Sequence, residues 1–159
     1  MGKIDIAAVP ERVGSGYPAP YDKPCRARRS RALGLAGGLT QFGVNLVTLP
    51  PGSWSSQRHW HAREDEFVYV LSGQVVLVTD EGETSLVAGE CAAFPAGERN
   101  GHHFQNRSQE EAVLLAVGSR DEGDWGAYSD IDMVFTPGRY SGKKPIFRHR
   151  DGRSWEDHD

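Results

Sequence analysis

Between Thr40 and Arg120 the chain is cut into short apolar runs, each closed by turn-forming residues. "TQFGVNLVTL" stops at "PPGS", and "DEFVYVLSGQVVLVTD" holds two β-branched runs separated by Ser72 and Gly73. "DEGE" turns the chain at Asp80 to Glu83, "TSLVAGECAAFPAG" gives two more short runs around Gly89, and "HHFQN" and "EEAVLLAVGSR" follow. Runs of this length suit strands, because a helix needs ten or more residues to bury a stripe. Closely spaced short strands with turn signals predict an all-β antiparallel sandwich or barrel, with helix confined to a turn or two. Ser72 and Gly73 between two apolar runs predict a hairpin.

The 159 residues suit one core rather than two. Gly 19 and Pro 9 add to the expectation of many turns. Residues 1–38, polar and broken by Pro and Gly, read as an N-terminal arm with little regular structure, residues 39–120 as the β-barrel core, and residues 121–159 as a C-terminal extension packing on the barrel or on a partner. In the arm, Arg26, Arg28, Arg29 and Arg31 form a basic run, read as a solvated stretch or as a grip on a partner's acidic surface. The formal charge of -4 lacks the basic footprint of a nucleic-acid binder. The N-terminus lacks a signal-peptide pattern and no apolar run reaches bilayer length, so no membrane association and a cytoplasmic location are expected. Cys25 and Cys91 lack the spacing of a zinc ribbon; Cys91 is expected as a small buried filler and Cys25 among charges.

"RHWHAREDEFVYVLSG", Arg58 to Gly73, carries the chemistry. Side chains two apart on a strand share a face, so His59 and His61 project together and Trp60 projects the other way, where it is expected to pack. Neutral imidazole is a common ligand for divalent metals. Glu66 can return a carboxylate to the same point if the chain bends at "AREDE", while Glu64 and Asp65 read as solvated loop carboxylates. Past Glu66 the same face carries Val68 and Val70, which puts the carboxylate at the top of an apolar interior. "GHHFQN" supplies the other histidine pair, of which a regular strand turns only one inward: His102 or His103.

Gly52, the HxH of His59 and His61, Glu66 and Gly73 resemble the first motif of the cupin superfamily, and Gly89, Pro95, Gly97, His102 and Asn106 resemble its second. One extra residue separates Gly52 from His59, and two extra separate Gly97 from His102. That insertion keeps both His102 and His103 in play, with the interval to Asn106 favouring His102. The resemblance implies an antiparallel double-stranded β-helix, or jelly roll, with His59, His61, Glu66 and His102 as ligands to a divalent metal ion facing the barrel interior.

Three imidazoles and one carboxylate leave open positions on an octahedral ion and suit Fe, Mn, Ni or Zn. The expected function is a metal-dependent enzyme acting on a small oxygenated metabolite, of dioxygenase, isomerase or lyase type, with Glu66 alternating between ligand and general base. The alternatives are a noncatalytic metal-containing module that binds a small molecule, and a barrel with vestigial histidines. A sheet edge and two long arms predict a homodimer formed by edge pairing or arm exchange.

Overall fold

A computed structural model describes residues 2–142 and 146–155. Its strands are β1 (Glu11–Val13), β2 (Arg29–Ala32), β3 (Phe42–Leu49), β4 (His59–His61), β5 (Glu66–Ser72), β6 (Gln74–Thr79), β7 (Gly82–Val87), β8 (Cys91–Phe94), β9 (His102–Gln105), β10 (Ala112–Ser119), β11 (Gly126–Tyr128), β12 (Val134–Phe135) and β13 (Phe147–Arg148). They form two antiparallel sheets, one in the order β1-β2-β3-β10-β5-β8 and one in the order β13-β12-β11-β4-β9-β6-β7. Among the described residues helix is confined to the four-residue α1 (Leu33–Ala36) and two single 3-10 turns. The all-β antiparallel architecture expected from the strand pattern, and the double-stranded β-helix implied by the cupin resemblance, are what is observed.

Alternation along the strands builds the interior. Val47 and Leu49 of β3, Val68 and Val70 of β5, and Leu114 of β10 point inward, where Val75 and Phe104 of the facing sheet meet them. This apolar packing fills the space beyond Glu66, as Val68 and Val70 predict.

The predicted hairpin at Ser72 and Gly73 does not form. β5 lies in the six-stranded sheet and β6 in the seven-stranded one, so the chain changes sheets at this point. Gly73 makes the crossing at φ +75, where a Cβ would lie 2.6 Å from the Glu111 carbonyl oxygen. Local turn chemistry gives the reversal of direction but not the sheet that the next strand joins. "DEGE" does make a true hairpin, β6 to β7.

The N-terminal arm is more regular than its composition suggests. β2 pairs with the edge strand β3, and β1 pairs with β2. The free backbone groups of β3 supply the template, which a reading of side-chain periodicity in "RSRA" does not reveal. Three of the four arginines of the basic run are paired within the chain: Arg26 meets Asp22 at 3.0 Å, Arg29 meets Glu111 at 2.7 Å, and Arg31 meets Glu11 at 3.3 Å. The arm also meets the C-terminal extension, with Tyr17 and Tyr21 packing against a buried cluster of Tyr128, Met133 and Phe135. The cysteines exchange their expected places: Cys25 is buried, and Cys91 is exposed because it points outward from β8. Among the described residues no helix is long and apolar enough to cross a membrane.

Candidate metal centre

His59 and His61 stand on β4, His102 stands opposite His59 on β9, and Glu66 begins β5 in the other sheet. The residues between His61 and Glu66 carry the chain across the mouth of the barrel, which lets one short stretch supply both imidazoles and carboxylate. The Nε2 atoms of His59, His61 and His102 lie 3.7, 3.5 and 2.6 Å from one atom, Glu66 Oε2. The third inward histidine is therefore His102. His103 faces outward, with Nδ1 2.8 Å from the Ser56 carbonyl and its ring edge-on to Trp54 at 4.7 Å. The strand keeps its period of two through "HHFQ", so the inserted residues before it are absorbed in the loop.

The ring orientations are imposed by partners outside the cluster. Nδ1 of His59 donates to the Gln57 carbonyl at 2.8 Å, and Nδ1 of His61 donates to Asp124 Oδ2 at 2.7 Å. With those protons committed, each ring presents an Nε2 lone pair to Glu66. His102 is held instead by stacking on Phe94, the ring centroids 3.5 Å apart and the planes 2° from parallel; its Nδ1 has no hydrogen-bond partner.

Burial pushes the His59 imidazole down to about 3, against the opposing pull of Glu66, so the ring is neutral near pH 7. Burial would raise the Glu66 carboxyl, but the His102 hydrogen bond and the adjoining imidazoles outweigh it and hold the group well below the usual carboxylate range. A neutral His59 imidazole beside an ionised carboxylate is the pair of protonation states that metal binding requires.

Behind His61 lies a second set of acidic groups that sequence reading misses. Glu64, expected as a solvated loop carboxylate, is only 4% exposed. Its Oε1 accepts from the Tyr140 hydroxyl at 2.6 Å and from the Asp121 amide at 2.9 Å, and its Oε2 pairs with Arg139. Arg139 also reaches Asp124 at 3.3 Å, and Asp124 accepts from the Arg63 amide at 2.8 Å. Burial would raise the Asp124 carboxyl, but the His61 and Arg63 bonds and Arg139 keep it below its ordinary value. Asp65, by contrast, is exposed as expected. Asp124, Arg139 and Tyr140 belong to the C-terminal extension, and no local spacing links them to His61.

The ligand atoms of His59, His61 and Glu66 lie within 4.8 Å of one another, an arrangement that can hold a metal ion. Ligand atoms about 2.1 Å from one cation stand roughly 3.0 to 3.4 Å apart, close to the His–Glu spacings here. The charge balance agrees with a cation, because the adjoining cavity of about 220 Å³ is lined by Glu64, Glu66, Glu81 and Glu98 and by no lysine or arginine. Leu77, Ala92 and Phe94 give it apolar walls.

The cupin domain family matches residues 45–118, which span every strand from β4 to β9 and most of β3 and β10. A solved sugar phosphate isomerase from a cupin superfamily, from Silicibacter pomeroyi DSS-3, is 47% identical over 96% of this chain and 95% of its own, with a TM-score of 0.88. The chain belongs to the cupin superfamily. This cupin is also similar to a candidate sugar phosphate isomerase from Acidithiobacillus ferrooxidans, 30% identical over 70% of this chain and 71% of that one, at a TM-score of 0.67. A polyketide cyclase from Streptomyces resistomycificus, 23% identical over 76% of this chain and 80% of that one with a TM-score of 0.61, shares the fold. No curated protein sequence matches this cupin. The family match ends at Gly118, so it does not include Asp124, Arg139 and Tyr140, which buttress His61.

Proposed function

We propose that this cupin is a metal-dependent isomerase acting on a small hydroxy-carbonyl compound of the sugar class. The observation that carries this reading is the convergence of three imidazole Nε2 atoms on Glu66 Oε2 at the wall of a partly apolar cavity. The similarity to the Silicibacter pomeroyi protein over nearly the whole chain supports isomerisation among the wider range of cupin chemistry.

His59, His61, His102 and Glu66 would hold the divalent ion, of iron, manganese, nickel or zinc type. Bound there, such an ion supplies a Lewis acid that polarises a carbonyl and makes the neighbouring C–H more acidic. Glu66 Oε1 takes no part in the three imidazole contacts and is the atom available to accept the proton from the carbon next to the carbonyl. Returning that proton to the adjacent carbon, with a second proton passing between the two oxygens, exchanges aldose and ketose without net oxidation. Phe94, Leu77 and Ala92 limit water at the reacting carbons.

The carboxylates of the cavity favour the sugar part of a substrate over its phosphate. The guanidinium of Arg99 lies 5.1 Å above the ring of Trp60, one of the cavity-lining residues, so a phosphorylated substrate would lay its phosphate there.

The test is elemental analysis of the purified protein followed by incubation with aldoses, ketoses and their phosphates in D₂O. Deuterium appearing at the carbon beside the carbonyl, and absent in Glu66→Gln, is the expected result. Full metal loading with no exchange across the panel overturns the isomerase reading. Thermal stabilisation by a panel member without exchange would then support the noncatalytic binding module.

A further inference from the structure

Among the described residues Arg28 is the arginine of the basic run that meets no carboxylate. It directly precedes β2, and by the strand's period of two its side chain shares a face with Ser30, whose Oγ accepts from Arg28 Nη1 at 3.4 Å. Ser30 stands opposite the core residue Val47 of β3, so this face continues the inner side of the sheet. The neighbour of Arg28 across the ribbon is a second arginine. Arg12 of β1 stands directly opposite Ser30 and diagonal to Arg28, which sets the two side chains about 7–8 Å apart at their roots. Arg12 Nη2 lies 3.4 Å from the point where a Gly16 Cβ would stand, and the Phe147 ring lies 4.0 Å from the same point. The two cations therefore share the seam between the N-terminal arm and the C-terminal extension.

Among the described residues no carboxylate balances this pair. The acids nearest along the chain are engaged elsewhere, Asp22 by Arg26, and Glu11 by Arg29 and Arg31. Cys25 and Tyr17 adjoin Arg28, but burial pushes the thiol up to about 11 and the phenol up to about 12, so both are neutral near pH 7. Arg28 Nε is buried and has no hydrogen-bond partner. An unpaired buried donor on a charged group is costly, and a like charge beside it adds to the cost.

We propose that Arg12, Arg28 and Ser30 bind a tetrahedral oxyanion of the phosphate class. Guanidinium forks match paired oxygens of such an anion, and two of them balance its charge. The Ser30 hydroxyl accepts from Arg28 and keeps its own proton for a further oxygen. A planar carboxylate satisfies one fork, whereas oxygens in tetrahedral array satisfy two forks and a hydroxyl together. None of the three residues lines the metal cavity. The path from Arg28 to His59 runs instead through Tyr17 and Tyr128, with rings 5.6 Å apart and Tyr128 5.8 Å from the imidazole. Tyr17 also accepts from the Gln57 amide at 3.3 Å, so an anion held by Arg28 fastens the arm to the loop that precedes β4. Free phosphate and the phosphate group of a metabolite present the same oxygens to this site.

The test is titration of the full-length protein with inorganic phosphate at constant ionic strength, read by calorimetry and thermal melting, for wild type, Arg12→Gln, Arg28→Gln and Arg99→Gln. Wild type is expected to bind and to melt higher as phosphate is added. The dissociation constant should rise at least about 10-fold in Arg12→Gln and in Arg28→Gln, the worth of one charge-assisted hydrogen bond. Arg12 is exposed, so its substitution leaves the fold intact. Binding should persist in Arg99→Gln, which removes the cation beside the metal cavity. Without phosphate, Arg28→Gln should melt no lower than wild type, because an unbalanced cation is removed; a purely structural arginine would give the opposite sign. Glycerol phosphate run in parallel separates the sources: weaker binding than phosphate assigns the site to the free ion, and equal or tighter binding to a phosphorylated metabolite. The proposal is overturned if wild type binds no phosphate at millimolar concentration, if both Arg12→Gln and Arg28→Gln bind as wild type does, if Arg99→Gln abolishes binding, or if chloride stabilises equally.

Discussion

Asp124 accepts a 2.7 Å hydrogen bond from Nδ1 of His61 while almost wholly buried, 63 residues further along the chain. It fixes which nitrogen of His61 carries the proton and aims the other at Glu66. The C-terminal extension thus reaches the candidate metal centre through this carboxylate, and Phe135 packs on the same ring at 5.0 Å between centroids.

Replacing the carboxylate should weaken metal binding without removing a ligand. Asp124→Asn keeps the shape but loses the charge that favours the His61 proton at Nδ1, and an outer partner of this kind contributes about 10–100-fold to metal affinity. Competition with a chelator of known affinity measures it. Affinity equal to wild type would show that His61 needs no such orientation.

The two histidines of "GHHFQN" should separate cleanly. His102→Ala removes an Nε2 from the cluster and should cost more affinity than Asp124→Asn. His103→Ala loses the Ser56, Gln105 and Trp54 contacts, none of which is in the cluster, and should leave metal content unchanged. Elemental analysis after dialysis reads both, and the reverse pattern would mean that the strand is turned over in solution.

These contrasts show what the sequence made legible. His59 and His61 could be placed together because a strand's period of two is local, and Glu66 because the same chain segment returns within five residues. Glu64 was misread as solvated because its burial depends on Arg139 and Tyr140, 75 and 76 residues away, with no spacing that announces them. The Ser72–Gly73 step shows the same boundary: the turn was visible, but the sheet joined by β6 depends on partners far along the chain.

Arg139 should matter for stability as well as for the site. It is the cation shared by two buried carboxylates, Glu64 and Asp124. Arg139→Met leaves both charges without it, and breaking a buried pair costs about 3–5 kcal/mol. Urea denaturation of the metal-free protein should show this loss. Adding Glu64→Gln should recover part of it, because one stranded charge is then removed.

The pH dependence of the metal-free protein follows from His59. Its folded value, lowered by burial to about 3, lies below the unfolded value near 6.5, so between those limits the unfolded chain binds the extra proton. Stability therefore holds above about pH 6.5 and falls as the pH drops toward 3. The expected loss is on the order of a few kcal/mol. His59→Asn should flatten this window in denaturation curves collected from pH 7 to pH 4. An unchanged slope would assign the acid sensitivity to other groups.

Gly73 gives the most local prediction. Its φ of +75 is a region that side chains disfavour, and a Cβ there would meet the Glu111 carbonyl oxygen at 2.6 Å and the Ala112 Cα at 2.9 Å. Both obstacles are backbone at the start of β10, so neither can swing aside as a flexible side chain would. β10 is also the central strand of the six-stranded sheet, pairing with β3 and β5, and any shift of its start is transmitted to both neighbours. Gly73→Ala should therefore cost more than the about 1 kcal/mol of left-handed backbone strain alone, read as a lower urea midpoint with an unchanged slope. Gly52 at φ +81, with open space around its Cβ position, is the control: Gly52→Ala carries the strain without the collision and should cost distinctly less.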